Sequence, residues 1–436
     1  MVERVLILGG GLAGVACAKR LADERVDVTV VDRNDYHQFQ PLLYQVACGQ
    51  LPAEDVARPH RAIFKHDPSV TVVTADVVEV DLAQRSLQLV DGRVLTGSRV
   101  VLAAGGRPNF LGVPGAAEHA FPLYSVADAE RLRLHLQGPL RDAADPDGDE
   151  TGQLDVVVVG GGPTGVEITG ALAELMRALQ DSRHLARPGR IAIVQHGHAV
   201  LRAFSAKAQE YTRRRLTAAG AEVILGVRVT AVHADRVELD DGRILAARTV
   251  VWGGGEVGAA VAQHAGPGTG HGGRVDVRPD LTIDGFPGTY AVGDVANISA
   301  DGDRPLPQLG SVAQQSGRWA ADNILRALRG DPSEPFVFND KGIMAMIGRN
   351  AAVAEVGRHR HTIDGPLAFG AWLGVHAALL SGVHSTIDAF LTWAWDYFDR
   401  DHVATVAALS QPQRIVWADD DEDVPTIRLG STRVAR

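Results

Sequence analysis

Two glycine-rich loops carry the clearest chemistry in this chain. Gly9-x-Gly11-x-x-Gly14 follows the aliphatic run RVLIL, and Gly160-x-Gly162-x-x-Gly165 follows DVVVV. Each leads into a helical pattern, VACAKRLADE in the first case and VEITGALAELMRAL in the second. In such a unit the first glycine permits the tight turn and the second lets the backbone approach a pyrophosphate. The third lets helix and strand pack closely. The helix N-terminus then faces the anion. Strand patterns follow at 26–32 and 190–195, so a βαβ unit occurs twice. The first unit closes on Asp32, 18 residues after Gly14, where a carboxylate accepts from ribose hydroxyls. The second closes on Gln195 and His196. A carboxylate there would repel a 2′-phosphate, whereas Gln and His would not. NADPH is therefore expected to serve at least comparably to NADH, with His196 and Arg202 near enough in sequence to supply positive charge. The alternative is neutral drift with NADH retained.

The elements that must position these loops form two nucleotide domains of similar plan. Asp-Gly pairs at 91–92 and 241–242 lie in alternating segments, SLQLVDGRVL and RVELDDGRIL. Both read as hairpins at equivalent places in the two halves. The acidic, turn-rich stretch 138–153 is expected as a surface loop at a domain border. From about 336 onward the content changes to a hairpin-like part, a long uncharged helix, and the acidic run ADDDEDV. The uncharged stretch 365–387 is 23 residues long, enough to span a bilayer. It also holds Pro366, four glycines and two histidines, so a buried helix is expected instead.

Composition narrows the function classes. The chain has 436 residues, 45% of them apolar, and a net charge of 43 − 53 = −10. That supports a sizeable core and argues against a nucleic-acid binder working through phosphate contacts. Two cysteines exclude a disulfide framework and fit a reducing compartment. The run VLILGGGLAGVA starts almost at Met1 without the basic lead of a signal peptide. His359, His361, His376 and His384 share no metal spacing, so no metal site is expected.

With TYAVGDVA at 289–296 added to the two loops, the chain resembles the two-dinucleotide-binding-domain flavoproteins. Within them it is most similar to the type II NADH:quinone dehydrogenases. The matching stretches are HQFQPLLYQVACGQL, VVLAAGGRPNFLGVPG, VVVVGGGPTGVEITGALAEL, NDKGIMAMIGR and WLGVHAALLSG. The resemblance implies an α/β fold with two Rossmann-like domains and a C-terminal α+β segment at 336–436. FAD would be held non-covalently by a discontinuous domain, 1–115 and 271–335, and NADH or NADPH by the inserted domain, 116–270. The implied FAD residues are Gly9, Gly11, Gly14, Asp32, Arg33, Val77, Ala104, Gly105, Gly293, Asp294 and Val312. Those for NAD(P)H are Gly160, Gly162, Thr164, Gly165, Gln195, His196 and Gly254. Hydride would pass to flavin N5 and two electrons onward to a quinone. Glu167, Lys341 and Gln315 match family positions close to the reacting groups, with Tyr44, Cys48, Ser311 and Gln315 on the acceptor side. Each has a plainer reading. Glu167 is also an acid that a helix N-terminus favours, Lys341 a solvated turn lysine, Cys48 a buried inert thiol, and His376 a hydrogen-bonded structural histidine.

The chain also departs from that pattern. Where family quinone sites carry Ala-Gln-x-Ala-x-Gln, it reads Gly310-Ser311-Val312-Ala313-Gln314-Gln315. One amide is replaced by a shorter hydroxyl, so a wider acceptor pocket is expected. The family's basic C-terminal helices become a segment with Asp388, Asp396 and Asp399, which disfavours an anionic membrane surface. Weak or absent membrane association follows as an expectation. The location would be cytoplasmic or peripheral at the inner face of the membrane. The C-terminal helices would be free to pack on the protein or to join a homodimer. Two alternatives stay open: a reductase for a small aromatic metabolite, and a slow-turnover flavin and NAD(P) sensor.

Overall fold

The computed structural model describes residues 3–143, 155–181, 189–299, 305–357 and 359–379. The elements that matter begin with β1 (Arg4–Leu8), α1 (Leu12–Ala22), β2 (Asp27–Asp32), α2 (Leu43–Ala47), β3 (Val70–Thr74) and β4 (Arg99–Leu102). They continue with β5 (Ala120–Pro122), α3 (Val126–Ala143), β6 (Val156–Val159), α4 (Pro163–Asp181), β7 (Ile191–Gln195), β8 (Ala221–Leu225) and β9 (Thr249–Trp252). The last are β10 (Thr289–Ala291), α5 (Gly310–Arg329), β11 (Gly342–Gly348), β12 (Ala351–Val356), β13 (His361–Asp364) and α6 (Gly365–Leu379).

The chain divides into two units. The first takes Met1–Gln38, Arg58–Asn109 and Glu256–Asp340; the second takes Phe39–Ala57, Phe110–Gly255 and everything from Lys341. Each is built on a five-stranded, wholly parallel sheet. The order is β10-β4-β1-β2-β3 in the first unit and β5-β9-β6-β7-β8 in the second. Parallel sheets are covered on both faces, so their strands read as unbroken aliphatic runs. Val5, Leu6 and Ile7 are fully buried, and all four valines of β6 are buried. In the first unit α1 lies on α5, whose Gly317 admits the close approach: a Cβ there would overlap the Ala13 carbonyl oxygen. Each unit also carries a three-stranded antiparallel sheet, with strands Ser86–Leu89 and Val94–Thr96 in one and Arg236–Leu239 and Ile244–Ala246 in the other. The two hairpins read from the sequence are these pairs. Gly92 and Gly242 both take φ +86° at their turns, a conformation that costs glycine little.

The borders of the units lie away from those expected. Residues 256–258 pair antiparallel with Gly106–Pro108, which ties them to the first unit. Phe336 donates its N–H to the Pro279 carbonyl at 2.7 Å, and Asn323 and Gln315 hold Glu334 and Asn339 there too. The expected segment 336–436 is thus split after Asp340. The expected loop at 138–153 is shorter as well. Helix α3 runs on to Ala143 because its apolar face, Val126, Ala129, Leu132 and Leu136, carries it past Gly138. Residues 144–154 lie outside the described residues. Helix α6 is the start of the expected uncharged helix, and Asp388, Asp396 and Asp399 lie outside the described residues. Among those described, no helix is long and apolar enough to cross a membrane.

Candidate active site

The two phosphate loops are near copies in atomic detail. Gly9 and Gly160 take φ +106° and +103°, in the left-handed half where side chains are disfavoured. Their N–H groups donate to the carbonyls of Val31 at 2.8 Å and Val194 at 2.9 Å, the strand residues beside them. A Cβ on Gly9 would overlap the Ala103 carbonyl oxygen, and one on Gly160 the Gly253 carbonyl oxygen. A Cβ on Gly14 would overlap the Gly9 carbonyl oxygen, and one on Gly165 the Gly160 carbonyl oxygen. The middle glycines differ: a Cβ on Gly11 or Gly162 would meet no protein atom within 4 Å. The protein needs the outer glycines for its own packing. The space over the middle ones is left for something else, and a pyrophosphate against the backbone N–H groups fits it.

In the first unit the strand-end carboxylate of Asp32 accepts from Gly10 N at 2.6 Å and Asn34 N at 2.8 Å. The carbonyl of Gly10 is held from the other side by two buried histidines, His37 through Nδ1 at 2.9 Å and His60 through Nε2 at 3.1 Å. A carbonyl only accepts, so both rings donate. Burial pushes His37 down to about 4, and it is neutral at pH 7. Gly293, at φ +69°, donates its N–H to Ser316 Oγ at 3.0 Å and sits against Ala13 and Ala313, which brings Asp294 to the start of α1. Asp294 Oδ1 is buried with no hydrogen-bond partner among the described residues. Burial raises its pKa, and Arg274 opposes the rise. An unpartnered buried carboxylate oxygen is costly, and a ligand hydroxyl would satisfy it. Orphaned oxygen and open cradle together fit FAD. Ala104 packs on the same core and Val312 is buried in it. Gly105 takes φ +67°. Val77 is half-buried against the core, and exposed Arg33 pairs loosely with Asp76 at 3.7 Å.

In the second unit three elements converge on Glu167, in the early turns of α4. Its Oε1 accepts from Met346 N on β11 at 3.1 Å, and the Trp372 indole of α6 faces the same carboxyl. Helix α4 approaches β11 closely because Gly170 presents no Cβ to the Ile347 carbonyl. Burial pushes Glu167 up to about 8 against the opposing pull of Met346 N and the indole, so at pH 7 it is mostly a neutral acid. An aromatic wall surrounds it. Trp372 stacks on His376 at 4.0 Å and 22°, Tyr44 meets Trp372 edge-on at 6.4 Å, and Phe39 meets His376 edge-on at 6.1 Å. His376 donates Nδ1–H to the Trp372 carbonyl at 2.9 Å, and burial pushes it down to about 4. It is the hydrogen-bonded structural histidine that the sequence allowed.

The remaining residues divide. Tyr44 and Cys48 are buried in or beside α2, and burial lifts both well above their ordinary values. A thiol so placed has neither the access nor the ionisation that redox chemistry needs. Gln315 is tied to the backbone of Asn339. Its Nε2 donates to the Asn339 carbonyl at 3.1 Å and its Oε1 accepts from Asn339 N at 2.9 Å. Ser311 is half-buried in the first turn of α5. Lys341 is exposed, with no ion pair among the described residues. Thr164 is exposed at the second position of α4, and Gly254 lies against the Trp252 ring. Gln195 Oε1 accepts from Gly161 N at 2.9 Å, the bond that Asp32 makes to Gly10, and His196 is exposed beyond it. Among the described residues no cluster of His, Cys, Asp or Glu could hold a metal ion. Sequence reasoning missed His60 and Trp372. Neither has a local signal, since each partner lies 50 or more positions away in the chain.

Comparison with known proteins places this geometry. The pyridine nucleotide-disulphide oxidoreductase family matches residues 3–317. The type II NADH:quinone oxidoreductase Ndh of Mycobacterium tuberculosis is 33% identical over 411 residues, covering 90% of this chain and 87% of the relative. The chain belongs to the pyridine nucleotide-disulphide oxidoreductases, on their type II NADH:quinone oxidoreductase branch. A type II oxidoreductase of Staphylococcus aureus is 28% identical over 397 residues, covering 89% of this chain and 95% of the relative. Among solved structures, NDH2 from Plasmodium falciparum in complex with NADH superposes with a TM-score of 0.83 at 17% identity. It covers 92% of this chain and 100% of that one, a likeness of fold. As expected for this pyridine nucleotide-disulphide oxidoreductase, two Rossmann-like units with parallel sheets make up the fold.

Proposed function

We propose that this chain is an FAD-dependent NADH:quinone oxidoreductase. The observation that carries the reading is the duplicated phosphate loop, open over its middle glycine both times, in a chain similar along nine-tenths of its length to such an enzyme. When bound, FAD supplies the redox chemistry, taking hydride from NADH at N5 and returning two electrons to a quinone.

The chain's own residues bind, orient and hold a proton. The Gly9–Gly14 loop and the N-terminus of α1 receive the FAD pyrophosphate, and Asp294 Oδ1 takes a ribityl hydroxyl. The Gly160–Gly165 loop and the N-terminus of α4 receive that of NADH. Glu167 keeps a proton on its carboxyl at pH 7 and can give it to an acceptor oxygen that gains charge, while Met346 N and the Trp372 indole fix its orientation. The Lys341 ammonium offers fixed positive charge to a reduced quinone oxygen. The working location is cytoplasmic or peripheral at the inner face of the membrane, and the enzyme can pair as a homodimer. Asp388, Asp396 and Asp399 support a weak hold on an anionic membrane surface.

Anaerobic mixing tests the reading. NADH should bleach the yellow flavin and a short-chain quinone should restore the colour, each within seconds. Bleaching by NADH with no reoxidation by any quinone would favour the aromatic-metabolite alternative.

A further inference from the structure

The two strand ends that face the adenosine riboses differ by one charge within otherwise matched geometry. Asp32 and Gln195 end β2 and β7, the matching fourth strands of the two sheets, and each accepts the N–H of the loop residue after the first glycine. At that place a carboxylate binds the ribose 2′-hydroxyl and repels a 2′-phosphate. The second unit has a buried neutral amide there.

A cation stands beside it. The Leu201 N–H donates to the Gly161 carbonyl at 2.7 Å, and Leu201 itself takes φ +50°, so the residue before Arg202 is clamped to the phosphate loop. A Cβ on Gly197 would lie 3.0 Å from Gln195 Nε2, 3.1 Å from Arg202 Cδ and 3.7 Å from Arg202 Nε. The amide of Gln195 and the arm of Arg202 therefore both border Gly197, whose missing side chain leaves them room. Arg202 is exposed and has no ion pair among the described residues. No Asp or Glu occurs from 196 to 209, whereas His196, His198 and Lys207 do. Lys207 is engaged elsewhere, with Asp364 at 3.3 Å. In the first unit the comparable Arg33 has an acidic neighbour, Asp76.

We infer that the end of β7 is a 2′-phosphate site, in which Arg202 pairs with the phosphate and Gln195 Nε2 and His196 donate to it, so that NADPH is taken as well as NADH. The inference rests on the function proposed above and adds to it the coenzyme class. An arginine left unpaired beside a neutral strand end is the arrangement a dianionic ester selects, and guanidinium–phosphate pairs are the strong, geometrically specific kind.

The test measures binding and reduction separately, on the flavin-loaded protein. Calorimetry with NADP⁺ and NAD⁺ gives the ratio of dissociation constants without turnover, and anaerobic stopped flow gives flavin bleaching by each reduced form. In the wild type the two coenzymes should bind within about tenfold of each other. Arg202→Ala should raise the NADP⁺ dissociation constant roughly 10- to 100-fold, with a loss for NAD⁺ at least tenfold smaller. Arg202→Lys should recover part of it, and Gln195→Glu should turn the ratio toward NAD⁺. A wild-type preference for NAD⁺ above a hundredfold, or an equal loss of both coenzymes in Arg202→Ala, would overturn the inference. If neither coenzyme bleaches the flavin, the proposed function fails, and the NADP⁺ titrations still decide the phosphate site.

Discussion

Replacing Glu167 by glutamine should remove a pH dependence of stability whose size follows from its surroundings. Burial lifts the carboxyl from 4.5 to about 8 in the folded protein. Between those values the folded state binds more protons than the unfolded one, so stability falls as pH rises. The contribution is complete below the unfolded value and is lost through pH 8. Its ceiling, 3.5 units at 1.36 kcal/mol each, is about 5 kcal/mol, and the partial solvent contact of Glu167 lowers it. From pH 7 to pH 9 the loss is RT ln(1 + 10) at most, about 1.4 kcal/mol. Glutamine keeps an oxygen for Met346 N and the Trp372 indole but cannot ionise. Thermal unfolding of the flavin-loaded proteins should therefore show the wild type losing a few degrees of Tm more than Glu167→Gln over that interval. Quinone reduction by the wild type should fall over the same range and stay flat and low in the variant. Equal losses of Tm in both proteins, or a larger loss in the variant, would refute the reasoning.

Gly11→Val should abolish flavin retention while leaving the fold intact, since the new side chain enters space that no protein atom fills; absorbance and circular dichroism separate the two effects. Gly162→Val should stay yellow but weaken NADH binding more than tenfold by calorimetry. Gly170→Ala should cost about 1–3 kcal/mol in chemical denaturation, because its methyl would overlap the Ile347 carbonyl. A colorimetric thiol reagent should find neither cysteine in the native protein and both after denaturation, since Cys17 is pushed up to about 12 and Cys48 is equally enclosed.

The parts of this molecule legible in the sequence are those set by local rules. Aliphatic runs of four residues before Gly9 and Gly160 are strands because both faces of a parallel sheet are dry. The Asp-Gly hairpins follow from turn geometry, and Asp32 from its place at a strand end. The rest depends on partners remote in the chain. Gln315 holds the backbone of Asn339, 24 positions onward, a pairing that no local pattern announces. Glu167 reads as a favourable helix-start acid, and only its burial beneath elements as remote as β11 and α6, some 180 and 205 positions onward, turns it into a neutral one. The unit borders were illegible for the same reason. Short pairings such as Gly106–Pro108 with Glu256–Gly258 move a segment between units without changing any local pattern.

The contrast between outer and middle glycines bears on how kinship should be read in this superfamily. A descendant that has given up its nucleotide still needs positions like Gly9 and Gly14, because each fits against a carbonyl of the chain itself. Selection on foldability alone preserves two-thirds of the fingerprint. The middle position, facing only the visitor, is the first that is free to drift. In a sequence of doubtful ancestry, that one residue says whether a dinucleotide is still received, while the other two say only that a strand still turns into a helix.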